Sequence, residues 1–213
     1  MRDTGGADAA RRWFIATWGL VCALKLVLAV HLPLFVDEAF YWQEGQHPAW
    51  AYSDLPALTA WLARLGVEVF GPHALGLRMP FLLIGAALPW LVVRLATRVS
   101  GARAGWQAGT LALLLPLAGS LGLLALPDVP LLLASLLCLD AGVRLLDRVN
   151  ARAVGELALG LVLGGLTHYR FAAVIAVGFL ALLALPAGRR ALRHPAPWLA
   201  VVAGALAWLP LLL

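Results

Sequence analysis

Two adjacent carboxylates, Asp37 and Glu38, follow the apolar stretch Pro33-Leu34-Phe35-Val36. A carboxylate held beside an acceptor hydroxyl can take its proton as a general base, and a partly apolar surround tunes its pKa. On a helix the two side chains diverge by about 100°, so one acts while the other orients it or binds a cation. The plain alternative is a pair of rim carboxylates facing water. Asp128, within Pro127-Asp128-Val129-Pro130, either caps the helix that follows or converges on Asp37. His168 and Arg170, within Thr167-His168-Tyr169-Arg170, can hold an anionic headgroup through charge-assisted hydrogen bonds. Their alternative is snorkelling at a membrane interface. His31, His47 and His73 form no metal-binding spacing with a carboxylate, and Cys22 and Cys138 sit singly in apolar runs. No Gly-rich phosphate loop stands in a strand–helix context, and no Ser–His–Asp arrangement is readable.

The elements that position these residues belong in a bilayer. Of 213 residues, 62% are apolar and 13% charged, whereas soluble domains average about 45–50% and about 25%. That excludes an ordinary water-soluble globule. The pattern predicts an all-α, polytopic transmembrane bundle of about six to seven spans, residues 1–213 forming a single transmembrane domain. Spans are predicted at about Trp13–Leu34, Leu77–Leu95 and Trp106–Leu124; a fourth follows the short Pro127-Asp128-Val129-Pro130 turn and ends near Leu146; the fifth and sixth lie at about Val154–Leu166 and Phe171–Leu185, with a seventh starting near Trp198. The fifth is short and Gly-rich, hence either tilted or in a re-entrant pair with the sixth. The first is read as a retained span rather than a signal peptide, because it is long and no small-residue cleavage site follows it. The closing WLPLLL stops inside an apolar run, as expected of the N-terminal part of a longer chain.

Residues 35–76 differ in texture, and read as a first outer loop with interfacial helices. They hold five acids and the aromatics Tyr41, Trp42, Trp50, Tyr52 and Trp61, which suit the headgroup level. Leu55–Phe70 repeats Leu58, Leu62, Leu65 and Val69 at helical spacing, with Arg64 and Glu68 as an i, i+4 pair. It is predicted to lie along the membrane rather than cross it.

The net charge of +5 bears on orientation, not on nucleic acid, since no aromatic-interleaved basic groove is visible. Arginines 2, 11 and 12; 94, 98 and 103; 144, 148 and 152; and 189, 190 and 193 fall in alternate loops, 12 of the 16 Lys and Arg. The positive-inside rule puts these loops and the N-terminus in the cytoplasm, and the acidic loop outside. Arg78 then opens a span on the disfavoured outer side and needs an anionic partner, either lipid phosphate or one of the carboxylates. Lys25, within the first span, plays the same part from deeper in the membrane.

Val36-Asp37-Glu38-Ala39-Phe40-Tyr41-Trp42 resembles the start of polytopic glycosyltransferases of the GT-C class, in particular bacterial members related to protein O-mannosyltransferases (family 39) and to lipid A aminoarabinose transferases. Ser53-Asp54-Leu55-Pro56 through Leu62, Gly66 to Gly71 with Leu77-Arg78-Met79-Pro80, Pro127-Asp128-Val129-Pro130-Leu131, and Gly164 to Phe171 continue the match in order. The resemblance runs over nearly the whole chain and covers about the N-terminal half of a usual member.

It implies transfer of a sugar from a polyprenyl-phosphate donor to a hydroxyl of a lipid, glycan or protein acceptor, with inversion, at the outer face of the bacterial cytoplasmic (inner) membrane. Asp37 matches the usual general base, Glu38 supports it or a metal, and Asp128 lines the same cavity. Arg78, His168, Arg170 and Lys25 are the expected donor-phosphate residues. Tyr41, Asp54 and Tyr169 are expected to line the acceptor site or the cavity. No soluble cofactor is implied, and a divalent metal is left open. Two departures stand out. Asp54 is followed by Leu55-Pro56-Ala57 where the family commonly has His-Pro-Pro, and His168 stands where it often has Lys or Arg. Two other readings compete: a transporter or flippase of lipid-linked sugars, and a non-catalytic structural membrane fragment.

Overall fold

The computed structural model describes residues 4–209, which carry eleven helices and no strand beyond an isolated bridge between Ala51 and Pro56. Arg2 and the closing Pro210–Leu213 lie outside the described residues. The chain divides into two compact units, residues 1–46 with 60–129, and residues 47–59 with 130–213.

The first unit contains α1 (Thr4–His31), α2 (Val36–Gly45), most of α3 (Leu58–Phe70), α4 (Ala74–Ser100), α5 (Ala102–Leu114) and α6 (Pro116–Ser120). Helices α1, α4 and α5 pack on one another. Phe14, Val93 and Leu113 form one core, flanked by Trp18 and Trp106. Phe14 meets Trp90 edge-on at 4.8 Å, and the Arg11 guanidinium lies 6.0 Å from the Trp106 ring, a cation over an aromatic face. A second core joins Ala63, Leu77, Phe81, Ala125 and Val129.

Gly101 links α4 to α5 at φ 86°, and Gly122 follows α6 at φ 91°. Both lie in the left-handed region that glycine enters without a Cβ penalty. At Gly122 close approach adds a second demand, because a Cβ there would stand 2.6 Å from the Phe81 carbonyl and 2.8 Å from the Gly85 Cα.

The second unit contains α7 (Asp128–Asp147, from Pro130 on), α8 (Ala151–Gly165), α9 (Phe171–Ala184), α10 (Pro186–Leu192) and α11 (Pro195–Trp208). Asn150 caps α8 by accepting from the Ala153 amide at 2.9 Å, the ordinary N-cap bond. Helices α8 and α11 pack closely, and Leu161, Phe171, Ala134 and Ala200 form the core. Arg144 donates to Glu156 at 2.7 Å and stands 3.8 Å from Asp140.

Among the described residues, three helices are long and apolar enough to cross a membrane: Gly5–His31, Ala74–Ser100 and Asp128–Asp147. Counting the bent pair Phe171–Ala184 with Pro186–Leu192 makes four, below the six to seven expected. Prolines account for much of the difference. The expected third span, Trp106–Leu124, is interrupted at Leu115, which is extended (φ −68°, ψ 126°) ahead of Pro116. A residue before proline is pushed out of the helical region. Leu185 does the same ahead of Pro186 (φ −90°, ψ 133°), and the chain turns by 110° there. Helix α5 has 13 residues, about 20 Å at 1.5 Å per residue, against a hydrocarbon core of about 30 Å. The amphipathic helix of the first loop forms as α3, with Arg64 and Glu68 paired at 2.6 Å.

Candidate active site

Helix α2 begins one turn after α1 ends, and its first turn reads Val36-Asp37-Glu38. Glu38 occupies the third helical position, and its Oε2 accepts from the Phe35 amide at 2.9 Å. This is the glutamate half of a capping box, which satisfies an amide that the helix leaves open. The helical angle separates the neighbours as the sequence predicts: Asp37 is exposed, and Glu38 is fully buried.

Glu38 meets Arg78, on α4, in a complete exchange. Arg78 donates from Nε to Glu38 Oε1 at 2.8 Å and from Nη2 to Oε2 at 2.6 Å. Its Nη1 donates to the carbonyls of Ala29 and Leu32 at 2.8 and 2.9 Å, and Nη2 to that of Pro33 at 2.8 Å. A guanidinium has five N–H donors, and all five are used. On the acid side, Oε1 also accepts from the Ala125 amide at 2.9 Å. The carboxylate thus takes four bonds, matching its roughly four lone-pair sites. Neither side chain is exposed to solvent.

Burial pushes the Glu38 carboxyl up. The Arg78 guanidinium and the Phe35 and Ala125 amides more than offset it, holding the group below its ordinary value. The knot therefore stays ionised and ties together the C-terminal end of α1, the start of α2, α4 and the segment entering α7. Of the two partners the sequence leaves open for Arg78, the carboxylate is the one it meets.

Lys25, 8% exposed in α1, donates to the Leu121 carbonyl at 2.6 Å. It satisfies backbone in the non-helical stretch after α6, which has no ladder of its own. Asp128 opens α7 and is half-buried. A carboxylate in a first helical turn is favoured by the helix dipole. Tyr41 is buried one turn beyond Glu38 on α2, its ring 5.7 Å from that of Phe40.

The remaining candidates lie in the second unit and are described there alone. Asp54 is exposed. His168 and Arg170 are two residues apart in the turn between α8 and α9. Arg170 Nε lies 3.0 Å from His168 Nε2, and the Arg170 amide 3.1 Å from His168 Nδ1. A neutral imidazole has one acceptor nitrogen, so one of these bonds forms at a time. Tyr169 is exposed, its ring edge-on to His168 at 6.3 Å. Among the described residues no group of three or more His, Cys, Asp or Glu could hold a metal ion.

What the sequence reading misses is mostly backbone: the Ala29, Leu32 and Pro33 carbonyls and the Ala125 amide. The available signal was Glu38 itself, three residues after the Phe35 cap, the capping-box position for glutamate.

Residues 54–213 match the model of the dolichyl-phosphate-mannose-protein mannosyltransferase family. The chain belongs to this family. Lipid A galacturonosyltransferase RgtD of Rhizobium johnstonii is 32% identical over 161 residues, 75% of this chain and 34% of that protein. The matched segment thus spans about a third of that relative's length. No solved structure matches. The family match begins at residue 54 and takes in Arg78, Asp128, His168 and Arg170, while Asp37 and Glu38 precede it. The GT-C resemblance read from the sequence agrees with both findings.

Proposed function

We propose that the protein transfers a sugar from a polyprenyl-phosphate donor to an acceptor hydroxyl at the outer face of the bacterial cytoplasmic membrane, with inversion. Family membership supports glycosyl transfer. The observation that carries the assignment of roles is the Glu38–Arg78 knot, which is complete in itself and leaves Asp37 exposed on the preceding position of α2.

In this reading Asp37 accepts the proton of the acceptor hydroxyl. The hydroxyl oxygen forms a bond to the anomeric carbon as the bond from that carbon to the carrier phosphate breaks, and the polyprenyl phosphate leaves with the electron pair. Phosphate is already a good leaving group, so deprotonating the acceptor and neutralising the departing charge are the main demands. Glu38 is a positioning residue: it fixes the first turn of α2, and with it Asp37. Arg78 has no donor left for a phosphate. That role is assigned to Arg170, exposed at the start of α9, with His168 setting its orientation. Lys25 and Asp128 shape the wall beside the knot. Tyr41, Asp54 and Tyr169 are assigned to acceptor or cavity contacts. The acceptor is a lipid, glycan or protein, and the N-terminus is cytoplasmic.

The test is sugar transfer in membranes from labelled polyprenyl-phosphate sugars, with lipid A and protein acceptors, comparing the full-length gene product with its Asp37→Asn variant. Loss of transfer, with unchanged membrane abundance and thermal stability, is the expected result. Transfer that survives Asp37→Asn overturns the general-base assignment.

A further inference from the structure

We propose that the second unit holds an acyl chain of an anionic phospholipid in the groove behind the α9–α10 bend, with Arg190 and Arg193 on the lipid phosphate. The proposal is independent of the transferase reading. A cavity of about 230 Å³ lies there, with walls from α7, α8, α9, α10 and α11. Leu146, Phe171, Leu182 and Leu185 are among its lining, which is almost wholly hydrocarbon. A sugar or phosphate placed inside would leave its polar groups without partners, at roughly 2–7 kcal/mol for each buried group. The occupant is therefore hydrocarbon.

Gly142 and Gly178 also line the cavity. A Cβ added at either would meet nothing within 4 Å. These glycines thus keep space open, where others in the same unit allow close packing: a Cβ at Gly160 would stand 2.6 Å from the Cys138 Sγ.

Charge flanks the lining in sequence, since Arg190 and Arg193 bracket Ala191 and Leu192, which line the cavity. Arg189 is committed to the fold, its Nη1 donating to the carbonyls of Leu183 and Ala184 at 2.8 and 3.1 Å and closing the end of α9. Arg190 and Arg193 are exposed, and their side chains make no hydrogen bond or ion pair among the described residues. Leu192, beside Arg193, lines the cavity. Hydrocarbon wall and unmatched cation thus lie at adjoining positions, and an amphiphile with an anionic head answers both. A zwitterionic lipid fills the groove but adds a cation where two already stand.

The protein, purified from membranes in mild detergent and delipidated, is given back dioleoyl phosphatidylglycerol, dioleoyl phosphatidylcholine or a polyprenyl phosphate, and bound lipid is counted by native mass spectrometry. Phosphatidylglycerol is expected to bind and to raise the unfolding temperature. Gly178→Leu and, separately, Gly142→Leu fill the groove and abolish that binding while preserving helicity. Arg190→Gln with Arg193→Gln retains a lipid but reduces the preference for phosphatidylglycerol over phosphatidylcholine by about fivefold per arginine. The proposal is overturned if phosphatidylglycerol does not bind, if phosphatidylcholine binds equally well to the wild type, or if polyprenyl phosphate displaces phosphatidylglycerol. Binding unchanged in both leucine variants also overturns it. The double arginine variant keeps the test open if either leucine variant misfolds.

Discussion

At the scale of single residues, the consequential contrast is between Asp37 and Glu38. They are neighbours in sequence, yet one is exposed and the other is closed off with Arg78 behind nine hydrogen-bonding roles, five donors and four acceptances, two of them shared. Breaking a buried pair by removing one partner's charge costs about 3–5 kcal/mol, because the other charge stays buried. Glu38→Gln should therefore lower the unfolding temperature in detergent sharply, whereas Asp37→Asn should leave it nearly unchanged. Arg78→Lys should also destabilise, since an ammonium has three donors and no planar fork to match the carboxylate. A lysine variant as stable as wild type would show that the fork is not needed. The knot also sets a pH response. The Glu38 carboxyl is held below its ordinary value, so its stabilisation is fully present above about pH 4.3, the unfolded glutamate value, and is lost as pH falls through the lower folded value. The stability gap between wild type and Glu38→Gln should be flat from pH 7 to about 5 and narrow in more acid solution. A gap that widens on acidification would contradict the sign. The helical divergence of the two acids was legible in the sequence, as was the need of Arg78 for an anion. Its choice of Glu38 was not, because that depends on carbonyls at and just beyond the end of α1 and an amide some 87 positions from Glu38, and side-chain patterns carry no record of backbone partners.

At the scale of elements, glycine and proline decide what hydropathy leaves ambiguous. A moving average of apolar residues sees one span from Trp106 to Leu124. Pro116 divides it, and the chain beyond α6 lies against α4 instead of continuing as helix. Gly85 marks that approach, since a Cβ there would stand 2.5 Å from the Leu121 carbonyl and 2.9 Å from the Gly122 Cα. Backbone cannot swing aside as a side-chain tip can. Gly85→Ala should thus destabilise by about 1–3 kcal/mol, the usual cost of overpacking. Gly19→Ala on α1, where a Cβ would meet nothing within 4 Å, should be neutral. Thermal unfolding of both variants in one detergent checks the contrast, and equal effects would mean the approach of Gly85 to residues 121–122 is not tight. By comparison, α3 was readable directly, because its leucine spacing and its Arg64–Glu68 pair are local signals that need no tertiary partner.

At the scale of the molecule, charge and helix length give different accounts of the chain's path. The arginine clusters at residues 94–103 and 144–152 are both placed in the cytoplasm by the positive-inside rule. In that proposed orientation the chain goes out and comes back between them. Helix α7, with 20 residues, spans about 30 Å and can make the return. The outward leg falls to α5, α6 and residues 121–127, of which α5 alone reaches about 20 Å. Non-helical backbone at that depth is tolerated where its polar groups find protein partners, and two are supplied: the Leu121 carbonyl accepts from Lys25, and the Ala125 amide donates to Glu38. The broken segment can therefore cross without a continuous helix, and Lys25 is the residue that makes its exit from helical structure affordable. In a background lacking Cys22 and Cys138, single cysteines at Trp50, Ser100 and Asn150 should report the path. A membrane-impermeant maleimide should label Trp50→Cys in spheroplasts, and label Ser100→Cys and Asn150→Cys in inverted vesicles. Labelling of Asn150→Cys from outside would mean that the segment after α5 turns back without crossing, and the charge rule would then be misplaced for the second half of the chain.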